Sequence, residues 1–270
     1  MTIMHNPPNA PTGEAALELQ VGSRFSANWK SKEHRERRLL SEFIGTAGLT
    51  FVLSAGAAIL AQYGGQEGLP SFVYAFILSA VSACWLVAAV YFLGGISCHF
   101  NPAMTLAFTL RGDMGVPMAC AYIVVQYIAA AAGSCLALFL VGMGGNLAAT
   151  VPHADMVWQA VGFEAVLTFG MVLLVLSMAN GPKMTGPFIP IAVGAYVMAM
   201  GTMGGPFDGA AFNPARAFGP DFARGDFTHY WVYPLGSLIG TVIAVVVARI
   251  LRGPAKADEA MAAMGEPLDH

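Results

Sequence analysis

One tetrapeptide occurs twice in this chain: Phe-Asn-Pro-Ala lies in "HFNPAMT" (99–105) and again in "AFNPARA" (211–217). Asn is a favoured helix N-cap and Pro is favoured at the first helical position, so each copy can simply start a helix. An Asn amide also carries donors that could meet a neutral polar solute. Arg216 follows the second copy, Cys98 and His99 precede the first, and Glu42 and Glu164 sit in apolar surroundings. Cys98 and His99 are the one pair that could suggest a nucleophile and a base, but adjacency in sequence does not put them in reach of a common substrate. The four cysteines show no Cys-x-x-Cys spacing, no His pair has helical spacing, and there is neither a Gly-rich phosphate loop nor a nucleophile elbow. Catalytic residues, metal ligands and cofactors are therefore not expected.

The elements that would hold these residues follow from composition. The 270 residues are 56% hydrophobic and 11% charged, with a mean hydropathy of +0.62, whereas a soluble domain is about a quarter charged. This is the balance of a chain dissolved in a lipid bilayer. Apolar runs long enough to cross it lie at about 39–62, 71–93, 116–141, 157–178 and 230–250, with a shorter Gly-, Ala- and Met-rich run at about 188–203. The division expected is a disordered basic tail over 1–38, a membrane domain over 39–252 and a C-terminal tail over 253–270. Leu39 onward reads as a retained span rather than a cleaved signal.

Of the 13 Lys and Arg residues, all but Arg216 and Arg224 lie before the first run, in the second and fourth connections, or at and beyond the end of the last run. That asymmetry predicts both termini on the cytoplasmic side. The run "KSKEHRERR" reads as the orientation signal, with contact to anionic headgroups and no nucleic-acid partner.

Each Asn-Pro-Ala is followed by an apolar stretch too short to span, "AMTLAFTL" or "ARAFGPDFA". An odd number of spans separates the two, so they enter from opposite faces. Glu42 and Glu164 repeat with the same phase, near the starts of the first and fourth spans. The pattern is an inverted repeat of three spans plus one re-entrant half-helix, a plan that puts a solute site near the midplane. The two helix N-termini would meet there, and a permeating cation would face two positive dipole ends. Small residues at four-residue spacing, such as Gly236 and Gly240, predict close helix packing. Asp208 reads as a solvated loop acid, with lining of the pore mouth as the alternative.

With "GGISCHFNPAMTL" and "GPFDGAAFNPARAFGP", together with "SEFIGT", "EAVLTF" and "WVYPLGSLIG", the chain resembles the aquaporin family of major intrinsic proteins from about Leu39 to Leu251. The resemblance implies an all-α bundle of six transmembrane helices and two half-helices, one pore per subunit, usually in a homotetramer, passing water or small uncharged solutes while excluding ions and protons. It makes Asn101, Pro102, Ala103, Asn213, Pro214 and Ala215 the central pore motifs, and Glu42 and Glu164 buried acids that hold the re-entrant loops. Arg216 would belong to the narrow filter, with Gly201, Ala210 and either Ser82 or Val81 as its other members. His99 and Cys98 are further pore-lining candidates, although His99 could equally be a packed structural residue.

Small filter residues would widen the opening and favour glycerol, urea or metalloid hydroxides beside water. Ala217 and the "RAFGP" tail instead resemble the strictly water-selective branch. An inverted repeat would also suit a secondary transporter, which would need a coupling-ion site. The compact form suits a bacterial inner membrane.

Overall fold

A computed structural model of the chain describes residues 32–64, 68–153, 155–179 and 188–253. Eight helices order the described chain: α1 (Lys32–Tyr63), α2 (Ser71–Leu93), α3 (Pro102–Arg111), α4 (Val116–Val141), α5 (Val157–Ala179), α6 (Ile189–Asp208), α7 (Pro214–Arg224) and α8 (Val232–Arg252). All but α3 and α7 are long and apolar enough to cross a membrane, which makes six candidate spans. Residues 1–31, 180–187 and 254–270, which hold most of both expected tails and Lys183, lie outside the described residues.

Two boundaries differ from the sequence expectation. Helix α1 begins at Lys32 rather than Leu39, so the end of the basic run continues the span; Lys, Glu and Arg are all good helix formers. Helix α6 runs through Pro206 to Asp208, beyond the expected end near Met203. A proline so near a C-terminus disturbs little of the helix that precedes it.

The half-helices owe their shortness to punctuation at both ends. Each opens on an Asn cap with Pro in the first turn and closes on a left-handed glycine, Gly112 (φ 96°) or Gly225 (φ 71°). Both glycines belong to an Arg-Gly-Asp triplet, 111–113 and 224–226, a second repeated signature that completes the first. The Asp113 N–H reaches back to the Phe108 carbonyl at 2.9 Å and the Asp226 N–H to that of Asp221 at 3.0 Å, as in the common glycine-terminated helix end. Arg111 and Arg224 form ion pairs with Asp113 and Asp226. Burial raises the Asp113 carboxyl above its ordinary range against the pull of Arg111, whereas donors from Thr228 hold the exposed Asp226 below its own. At 10 and 11 residues, each half-helix is about 15 Å long, half of a bilayer core of about 30 Å.

Packing repeats between the halves. Helix α1 lies on α4, α5 on α8, and α2 on α6 across the divide; α3 and α7 lean on α8 and α4, the third spans of the opposite halves. Close approach depends on glycine. A Cβ at Gly133 would strike the Ala47 carbonyl of α1, one at Gly240 the Ala165 carbonyl of α5, and one at Gly236 the Glu164 side chain. Without a hydrophobic drive between helices in lipid, such backbone contact supplies the cohesion. Gly133→Val is therefore expected to lower the apparent melting midpoint in detergent by roughly 5 °C or more; a thermal unfolding scan with the wild-type midpoint would contradict this packing.

Candidate functional site

The two Asn-Pro-Ala loops meet and clasp each other. The Asn101 side-chain oxygen accepts from the Ala103 N–H at 2.8 Å, and its nitrogen donates to the Phe212 carbonyl at 2.9 Å. Asn213 repeats the pattern, accepting from the N–H groups of Ala215 (3.0 Å) and Arg216 (3.2 Å) and donating to the Phe100 carbonyl at 2.9 Å. Each amide nitrogen carries a second hydrogen that the clasp does not use. Pro102, Ala103, Pro214 and Ala215 are buried directly behind, in the first turns of α3 and α7.

Phe100 (φ 50°) and Phe212 (φ 32°) both sit in the left-handed region, which bulky residues enter only when the surroundings impose it. The buried acids impose it. Glu42 accepts from the N–H groups of His99 and Phe100, both at 2.8 Å, and from Ser97 Oγ at 2.7 Å and Gln126 Nε2 at 2.8 Å. Glu164 accepts from the N–H groups of Ala211 and Phe212 at 2.6 and 2.7 Å.

These bonds aim the backbone. In a trans peptide the carbonyl points opposite to the N–H of the next residue, and there are no cis bonds among the described residues. Amides 99, 100, 211 and 212 turn toward the acids, so the carbonyls of Cys98, His99, Ala210 and Ala211 turn the other way. There lies a cavity of about 1020 Å³ that all four of these residues line and neither glutamate touches.

The cavity also collects Asn101, Asn213, Arg216, Gly201 and Ser82. Ser82 is on its wall, whereas Val81 is 37% exposed on the outside of α2. Gly201 lines the cavity, but a Cβ there would strike Ser79 Oγ of α2, so its smallness serves the α2 and α6 contact as well as the opening. His99 lines the cavity and is packed too, stacked on Phe108 at 4.9 Å with Nδ1 3.0 Å from Thr105 Oγ1. Arg216 is only 8% exposed, with one guanidinium nitrogen donating to the Ala148 carbonyl at 2.9 Å. Its charge is thus fixed in the wall, and no Asp, Glu or Lys lines the cavity among the described residues.

Sequence reasoning missed two residues. Tyr74, on the wall within electrostatic reach of Arg216, carried no motif. Asp208 is a correction: the expected solvated loop acid is fully buried, at the last residue of α6. Because α6 outlasts Pro206, the acid is carried inside.

The family model described as Major intrinsic protein matches residues 28–248. The chain belongs to that family. It is 31% identical to Nodulin-26 of Glycine max over 218 residues, 80% of this chain and 78% of the relative. It is 30% identical to Aquaporin-8 of Notomys alexis over 250 residues, 89% of this chain and 91% of the relative. The solved aquaglyceroporin of Plasmodium falciparum superposes with a TM-score of 0.67 at 17% identity, covering 80% of this chain and 97% of that one. Fold and family therefore agree for this major intrinsic protein, a multi-pass membrane protein from a family of channels.

Cys98 is on the wall of the cavity. A small thiol reagent is expected to block flux reversibly and Cys98→Ser to abolish the block; equal inhibition of the mutant would mean that the sulfur does not face the permeation path.

Proposed function

We propose that this protein is a passive channel for water and small uncharged solutes that excludes ions and protons. One observation carries the reading. The cavity is lined by Ser71 and Gly94 at opposite ends of α2 and by Ile189 and Gly209 at opposite ends of α6, and α2 alone, at 23 residues, is about 35 Å long. A space that touches both ends of two spanning helices supports a path across the bilayer.

The chemistry of its wall supports neutral cargo. A hydroxyl oxygen that accepts from the free hydrogens of both Asn101 and Asn213 has used its lone pairs and can take no further proton. The backbone carbonyls on either side accept from its hydroxyl hydrogens. Arg216 and the positive ends of α3 and α7 repel cations. Glu42 and Glu164 are structural, and a transporter's coupling site has no acid to build on in the described lining.

Arg216, Ser82, Gly201 and Ala210 form the selectivity filter in this reading, and the small side chains of Ser82, Gly201 and Ala210 favour glycerol, urea or metalloid hydroxides beside water. Ala217 supports the narrower alternative, a strictly water-selective pore. The basic flanks support cytoplasmic termini, and the family supports a homotetramer. The plant and animal relatives lend no support to the bacterial inner membrane suggested by the compact form.

Stopped-flow light scattering on proteoliposomes should show fast flux of both water and glycerol, with Arg216→Ala altering their ratio several-fold. Water flux with glycerol excluded would favour the water-selective alternative. Shrinkage no faster than that of empty lipid vesicles would overturn the channel reading.

A further inference from the structure

Asp208 is unlike the paired acids Glu42 and Glu164. Nothing in the first half corresponds to it: with Phe212 aligned on Phe100, its counterpart is Ile96. It is fully buried at the C-terminal end of α6 and does not line the cavity, although the next three residues, Gly209, Ala210 and Ala211, all do. Its Oδ1 accepts from the Ala210 N–H at 2.8 Å, and its carbonyl accepts from the Tyr233 hydroxyl at 2.8 Å. Its Oδ2 is buried without a hydrogen-bond partner among the described residues.

The Ala210 amide is where this bond matters. Ala210 has φ 44°, in the left-handed region that alanine rarely enters, and it follows Gly209 at φ 90°. Glu164 holds the amides of 211 and 212; Asp208 extends the series to 210. The Ala210 N–H turns back toward Asp208, so the Gly209 carbonyl of the same trans peptide turns toward the lumen. Thr150 crowds the Gly209 backbone from another side, which leaves the loop little room to relax. Arg216 is within electrostatic reach of the carboxylate.

We propose that Asp208 is a positioning residue of the selectivity filter, tying back the Ala210 amide so that the Gly209 carbonyl stands in the lumen as an added hydrogen-bond acceptor for permeating molecules. This rests on the channel reading above. A purely structural acid would change how many channels work; a positioning acid changes the barrier in each one.

The test is water flux per reconstituted full-length protein, measured at several temperatures, for wild type, Asp208→Ala and Asp208→Asn. Asn keeps the Oδ1 acceptor and loses the charge. Asp208→Ala is expected to lower the flux about fivefold, the size of one net hydrogen bond, and to make its temperature dependence steeper, while Asp208→Asn restores both. A reduced flux with wild-type temperature dependence in Asp208→Ala would overturn the proposal, since it would mean fewer channels of unchanged barrier. So would an Asn variant as impaired as the Ala variant. If Asp208→Ala fails to fold, Asp208→Leu keeps the volume without the acceptor; failure of both beside a fully active Asn variant would leave Asp208 a folding role and overturn the proposal too. Wild-type vesicles that pass no water would fail the channel reading itself, a separate outcome.

Discussion

Backbone at the centre of a membrane must be hydrogen-bonded by protein, because no bulk water is there to do it. This chain places two non-helical loops at that depth, and the bonding falls to Glu42 and Glu164. An unpaired buried amide costs about 1–3 kcal/mol, while bonds to a charged acceptor return more than neutral ones. Burying a carboxylate costs several kcal/mol in turn, so each glutamate persists only because its oxygens meet several donors. Acid and loop stabilise each other, and neither would be tolerable alone.

From that constraint the lumen follows. Amides committed to the acids leave carbonyls facing the cavity, and the same bonds hold Phe100 and Phe212 at positive φ. That twist brings the caps Asn101 and Asn213 together, each donating to the other's loop. The converging half-helices then aim two positive ends at one place, and their Asn-Pro openings and Arg-Gly-Asp closures fix their length. Polar groups thus line the path while charge, apart from Arg216, stays out of the described wall.

Most of this was legible because the determinants are local or periodic. Spans follow from run length, half-helices from Asn-Pro before a short apolar stretch, and inversion from an odd number of intervening spans. The illegible parts depend on three-dimensional register. Whether Ser82 or Val81 meets the lumen turns on a 100° helical step that a one-residue gap erases. Asp208 looked like loop because Gly-Gly-Pro-Phe-Asp-Gly carries every turn signal, yet packing of α6 on α2 holds the helix through it. Gly201 read as an absence that widens a pore, and only the neighbouring Ser79 reveals that it also permits helix contact. The paired Arg-Gly-Asp triplets were visible as letters, but their meaning as helix stops needed the left-handed glycines.

The most direct measurement is thermal stability and water flux of Glu42→Gln and Glu164→Gln, side by side in one membrane preparation. Glutamine keeps the size of the side chain but turns an N–H donor toward a backbone N–H. The expected result is a midpoint lowered by roughly 10 °C with water flux largely lost, and a larger effect at Glu42, where Ser97 and Gln126 also donate. Variants that melt with the wild type and conduct water at its rate would show that the loops are held by something other than these two carboxylates.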